Sequence, residues 1–140
     1  YLYKKKLIHL SDQYDLTNQI KFIEHCEDMA LAYKVSDIIV SASIEPEAFG
    51  RVAVEAQSME KLIIASNIGG SNETINDEKT GFLFKSGNAE SLSKKIIRGL
   101  TMDEIAINQI GKEGRNNIIK KFNVEKMCFS TYSEYKRLLN

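Results

Sequence analysis

Two short apolar runs, Ile38-Ile39-Val40 and Leu62-Ile63-Ile64-Ala65, flank a stretch that carries Phe49, Val52, Ala53 and Ala56 at helical spacing. Runs of this length, rich in β-branched residues, read as buried strands, and the apolar residues between them recur as on one face of a helix. Strand, helix and strand in that order form a parallel crossover, because two strands that point the same way need a connection of a dozen residues or more. In open sheets of this kind ligands bind beyond the carboxyl ends of the strands. The polar loop 41–50, with the only proline, Pro46, leaves the first strand at that end, and Gly69-Gly70 closes the second.

Two carboxylates punctuate the unit, Glu47 before the helix and Glu55 within it. A step from 47 to 55 turns a helix by about 80° net, so both can border one cleft. Gly50 lies between them, where a residue without a side chain lets a ligand approach the backbone. The first N–H groups of the helix, near Gly50, Arg51 and Val52, face out of its N-terminus and favour an anion, a phosphate above all. Carboxylates in contact with that phosphate would repel it; they suit the hydroxyls of a sugar or a ribose. The same spacing also fits a glutamate that merely complements the helix dipole and a second that is solvated. Spacing alone leaves both readings open.

The segment Glu47-Ala48-Phe49-Gly50-Arg51-Val52-Ala53-Val54-Glu55 resembles the E-x7-E motif of retaining glycosyltransferases with the GT-B fold. Ser41-x-x-x-Glu45-Pro46 is similar to the loop before that motif, and Glu55-Ala56 with Ile63-Ile64-Ala65-Ser66 to the family's next strand. Gly69-Gly70-x-x-Glu73 resembles the family's glycine turn and Gly81-Phe82-Leu83-Phe84 its last strand. The resemblance runs over residues 20–99 in the family's order, and departs from it at Leu62 and Asn72, structural positions where the family often has proline.

The resemblance implies the C-terminal, donor-nucleotide lobe of a group 1 glycosyltransferase. Such an enzyme moves a sugar from a nucleotide-diphosphate donor to an acceptor hydroxyl. It uses no metal or other cofactor, since positive side chains and helix N-termini bear the diphosphate charge. By motif match Glu47 bonds a donor-sugar hydroxyl and Glu55 accepts from the ribose hydroxyls. The backbone of Ala48, Phe49, Gly50, Arg51 and Val52 lines the site, its amides from Phe49 to Val52 holding phosphate or sugar oxygens. No catalytic nucleophile is visible. The loop after Ile23, with His25, Cys26 and Glu27, lies where the family's base rests. In the family this lobe opens with two further strands, the first ending in a glycine-rich turn with an arginine and a lysine. No such segment stands before Leu2, so residues 1–140 are expected to be a single partial domain, truncated on its N-terminal side and without the acceptor lobe. For the parent enzyme peripheral membrane association is implied. The rival reading is a non-catalytic remnant or a nucleotide-binding or interaction module. A nicotinamide-cofactor domain is disfavoured, since no G-x-G-x-x-G follows a strand.

Composition narrows the partners. At 140 residues the chain is one domain's worth, and 19 basic against 19 acidic residues argue against a general nucleic-acid or membrane surface. No apolar run approaches the roughly 20 residues of a membrane span. The start, Tyr1-Leu2-Tyr3-Lys4, has no apolar core of a signal peptide after it. Cys26 and Cys128 read as free thiols of a cytoplasmic protein, and His9 and His25 lack metal-ligand spacing.

The fold class expected is α/β: a Rossmann-like parallel sheet with helices on both faces and a helical C-terminal tail, lacking the first two strands of the lobe. Residues 2–14 read as a helix with Lys4-Lys5-Lys6 solvated, 20–23 as a short strand and 29–33 as a short helix. Ser71 with Thr74 suggests a capped helical turn, and 82–84 a strand. Asn88 caps a helix over 89–99 with Leu92, Ile96, Ile97 and Leu100 inward. Residues 102–120 form a helix with Ile105, Ile107, Ile110 and Ile118 on its apolar face, and 122–139 the last, with Met127, Phe129, Tyr132, Tyr135 and Leu138 apolar. With the central strands absent, the strand at Ile38 exposes an unpaired edge. Two repairs are open: the 20–23 segment slides over to pair with it, which is the expectation, or a second copy pairs with it in a dimer.

Overall fold

β2 (Leu62–Ser66) is the central strand of a three-stranded parallel sheet, between β1 (Ile38–Ser41) and β3 (Phe82–Phe84), in the computed structural model, which describes residues 2–139. Ile38 stands opposite Leu62 and Ser41 opposite Ala65; Ile64 pairs with Phe82 and Ser66 with Phe84. Every residue of β2 is buried. Its side chains alternate between two cores, Ile63 and Ala65 in one, Leu62 and Ile64 in the other. Both faces are covered, so the strand reads as a continuous apolar run.

The helices are α1 (Leu2–Gln13), α2 (Met29–Val35), α3 (Arg51–Ser58), α4 (Ser71–Thr74), α5 (Ala89–Thr101), α6 (Glu104–Lys121) and α7 (Val124–Leu139). Tyr33 of α2 and Ala53 and Ala56 of α3 pack on the Ile63–Ala65 face. Leu92 and Ile96 of α5 and Ile110 of α6 pack on the other, with Phe82 and Phe84. Asp28, Asn88 and Asp103 cap α2, α5 and α6 by accepting from the amides of Leu31, Ser91 and Ala106 at 2.9, 2.7 and 2.8 Å. The α3 helix ends with Glu60 in the left-handed region (φ 57°), and the Lys61 amide turns back to the Ala56 carbonyl at 3.0 Å. Against this corner α6 lays Gly111, where a Cβ would lie 2.2 Å from the Glu60 oxygen. Among the described residues no helix is long and apolar enough to cross a membrane.

Several expectations are corrected. Residues 20–23 form no strand, and no ladder joins them to β1. The alternating pair Ile20 and Phe22 lies instead beside Leu7 and Leu10 of α1. Lys4 pairs with Glu24 of the same segment at 2.7 Å, while Lys5 and Lys6 are exposed. Alternation fixed which side chains go together but not the surface they meet. Ser71 does not cap: it lies inside α4, whose cap position is Gly70. In α5 the Gly99 backbone reaches Ile38 and Leu62, which turns Ile97 and Leu100 outward, 57% and 67% exposed. Ile105 likewise lies off the buried line of α6 through Ile110, Gly111, Gly114 and Ile118. The apolar residues expected on α7 are all largely exposed, Met127, Phe129, Tyr132, Tyr135 and Leu138 among them.

Candidate functional site

The loop that leaves β1 at its carboxyl end is held by bare backbone. The Gly70 amide donates to the Glu47 carbonyl at 2.8 Å. A Cβ on Gly69 would lie 2.6 Å from the Glu47 oxygen, and one on Gly70 2.5 Å from the Phe49 carbonyl carbon, so neither position has room for a side chain. The Ser86 hydroxyl donates to the Ser43 carbonyl at 3.4 Å and ties the loop to the turn beyond β3. Within the loop the Ser43 hydroxyl donates to Glu47 Oε1 at 2.6 Å, which orients the exposed Glu47 side chain.

Gly50 then turns the chain into α3 with φ 74° and ψ 57°, a conformation that favours glycine. Its carbonyl accepts from the Ala53 amide at 3.0 Å, the first bond of the helix. Among the described residues no acceptor takes the amides of Arg51 and Val52. These two N–H groups, at the positive end of α3, can meet an anion.

Glu55 lies one turn farther on, and both of its oxygens are engaged. Oε2 accepts from the Tyr33 hydroxyl at 2.8 Å, and Oε1 faces Arg51 Nη2 at 3.1 Å. The two donors differ in freedom: Tyr33 is 4% exposed, whereas the Arg51 side chain is 84% exposed. Burial, and then the hydrogen bond to Glu55, pushes the Tyr33 hydroxyl up to about 12, so it remains a donor at any working pH. Phe49 points elsewhere. Its ring meets Phe122 edge-on, 5.4 Å between centroids at 75°, beside an open pocket of about 430 Å³ that Met127, Lys121 and Lys126 also line.

Of the residues singled out in the sequence, Glu47, Gly50, Arg51, Val52 and Glu55 gather about the start of α3. Ala48 is an exposed loop residue there, and Phe49 serves the loop's apolar contact. His25 and Glu27 are exposed; Cys26 Sγ donates to the Asp28 carbonyl at 3.2 Å, just ahead of α2. Two residues that orient the carboxylates were not anticipated. Ser43 carries a faint signal, a hydroxyl four residues before a glutamate in a polar loop. Tyr33 carries none, because a tyrosine in a short apolar helix reads as packing and its partner is 22 residues away.

The family model of glycosyl transferases group 1 matches residues 2–117. The capsular polysaccharide biosynthesis glycosyltransferase CapM of Staphylococcus aureus is 30% identical over 86% of this chain and 31% of its own. A glycosyltransferase of Rickettsia africae is similar in structure with a TM-score of 0.92 and 38% identity, over 99% of this chain and 37% of that one. Anabaena Alr3699/HepE, solved in complex with UDP and glucose, has a TM-score of 0.89 and 26% identity, over 96% of this chain and 36% of its own. The chain thus spans about a third of the length of the relatives it matches.

Proposed function

The chain belongs to the glycosyl transferases group 1 family, and from that membership we propose that it binds the nucleotide-diphosphate sugar donor of a retaining glycosyltransferase. The observation that carries this is the start of α3, where two unpaired amides lie between two oriented carboxylates. The amides from Phe49 to Val52 take phosphate or sugar oxygens, and no metal is required of the chain's own residues. Glu55 accepts from the ribose hydroxyls and Glu47 from a hydroxyl of the sugar. A carboxylate that accepts from hydroxyls makes charge-assisted bonds, shorter and stronger than neutral ones. The solved complex of the Anabaena relative with UDP and glucose supports this class of ligand. Transfer needs an acceptor, which in this reading is held by a second lobe of a cytoplasmic enzyme that touches a membrane only at its periphery. A second reading, a nucleotide-binding or interaction module without transfer, draws on the free edge of β1 and the exposed apolar residues of α7.

Titration of this chain with UDP, GDP and ADP, followed in proton–nitrogen NMR spectra, tests the reading. Amide shifts at Gly50, Arg51, Val52 and Glu55 are expected for at least one nucleotide. Silence of these amides at millimolar ligand would overturn it.

A further inference from the structure

We propose that Tyr33 is a positioning residue for Glu55: its hydroxyl fixes the carboxylate so that both oxygens meet the two hydroxyls of a ribose, which sets the site's preference for ribonucleotides. The inference rests on the reading of Glu55 as the ribose acceptor and adds the residue that makes it effective.

An ionised carboxylate offers about four lone-pair sites on its two oxygens. Tyr33 occupies one on Oε2 and Arg51 one on Oε1, which leaves one on each oxygen for a diol. The two donors are not equivalent. The Tyr33 ring is packed with Ala53, Ala56, Ile63 and Ala65 and cannot follow a mobile side chain. Its backbone is equally fixed, since Asp28 caps α2 at 2.9 Å and the Ser36 hydroxyl closes its far end on the Ala32 carbonyl at 2.7 Å. Arg51 is anchored at one end only and can leave Glu55 when a ligand arrives. A glutamate free to rotate loses that freedom on binding; one already held by a buried phenol does not, and the ligand gains the difference. The hydroxyl makes no other hydrogen bond among the described residues, so its direction is set by Glu55 alone.

The test uses this chain and whichever of UDP, GDP and ADP binds most tightly, compared with its 2′,3′-dideoxy counterpart. The unsubstituted chain is expected to prefer the ribonucleotide. Tyr33→Phe keeps the ring and removes one oxygen; it should lower that preference about three- to tenfold, the cost of immobilising one freed side chain on binding, and leave dideoxynucleotide affinity unchanged. In a Glu55→Gln background the same substitution should add no further loss. A measurement independent of that variant's folding is the Tyr33 Cζ carbon resonance of the unsubstituted chain, which should move with the ribonucleotide and not with the dideoxy form. Equal weakening of both ligands by Tyr33→Phe, a preserved preference, or a silent Tyr33 resonance would each overturn the role of Tyr33 while leaving Glu55 in place. An unsubstituted chain without any preference, unchanged by Glu55→Gln, overturns the ribose reading of Glu55 and this inference with it.

Discussion

Ser43 and Glu47 are joined by a hydrogen bond of 2.6 Å inside one loop, whereas Glu55 is held from another element altogether, by Tyr33 at 2.8 Å. The two carboxylates of the site therefore have separate supports. Disturbing one does not release the other, and their roles can be taken apart by substitution.

In an enzyme that carries this domain together with an acceptor lobe, Glu55→Gln should weaken the bare nucleotide diphosphate. Glu47→Gln should leave bare-nucleotide affinity nearly intact and depress sugar transfer. Loss of a charged hydrogen bond costs on the order of 1.5–3 kcal/mol, roughly ten- to a hundredfold. Calorimetric binding of the nucleotide beside steady-state rates gives the comparison. Equal loss of nucleotide affinity in both variants contradicts the division.

Gly111→Ala forces a methyl to within 2.2 Å of the Glu60 carbonyl oxygen, where backbone meets backbone. Overpacking of this kind costs about 1–3 kcal/mol. Urea unfolding should show the loss, and because Gly111 lies in α6, away from the start of α3, nucleotide shifts should persist in the folded variant. Gly70→Ala, 2.5 Å from the Phe49 carbonyl carbon, should lose both stability and nucleotide binding.

Glu60 carries a side chain at φ 57°, in the left-handed region that closes α3. A non-glycine residue in that region is strained by roughly 1–2 kcal/mol. Its ion pair with Arg115 spans 3.7 Å between half-exposed groups and contributes little. Glu60→Gly should therefore stabilise the fold by about 0.5–1 kcal/mol once the added freedom of the unfolded chain is subtracted, and raise the urea midpoint accordingly. A lower midpoint would mean that the Arg115 contact outweighs the strain.

Glu78 sits under Lys95, 2.6 Å from its carboxylate, with Arg98 also paired to it, and both cations lie over the Phe82 ring. The Lys95 hydrogen bond is the largest influence on its carboxyl and holds it below the ordinary glutamate value; burial opposes, and the two cations' charges add to the lowering. Its pKa is lower folded than unfolded. The stability it contributes is thus complete above the unfolded value and is lost as pH falls through the folded one. Urea midpoints measured on acidification through this window should fall less for Glu78→Gln than for the unsubstituted chain.

The strands Ile38–Ser41, Leu62–Ser66 and Phe82–Phe84 and the helix between the first two were legible because their signals are local: β-branched runs, helical spacing, glycine turns. Asn88 was legible as a cap for the same reason, its side chain acting three residues away. What failed was whatever depends on a partner. Ile20 and Phe22 alternate as a strand would, yet the competing surface of α1 takes them. Ile97 and Leu100 are apolar, but the close approach of Gly99 to Ile38 and Leu62 decides which side of α5 turns inward. Glu47 and Glu55 stood out by motif. Tyr33 did not, because a hydrogen bond across 22 residues leaves no period in the chain.

β2 has a paired strand on each side and no exposed residue, and it runs through Asn67 and Ile68 straight into the glycines that brace the site. Its amides should be the slowest in the chain to exchange with deuterium, open only to global unfolding. The Gly70 amide, bonded to Glu47 at one remove from that strand, should exchange almost as slowly. A nucleotide seat hung from the last element to melt has little local opening of its own, so occupancy should register across the whole domain as a rise in melting temperature set by ligand concentration.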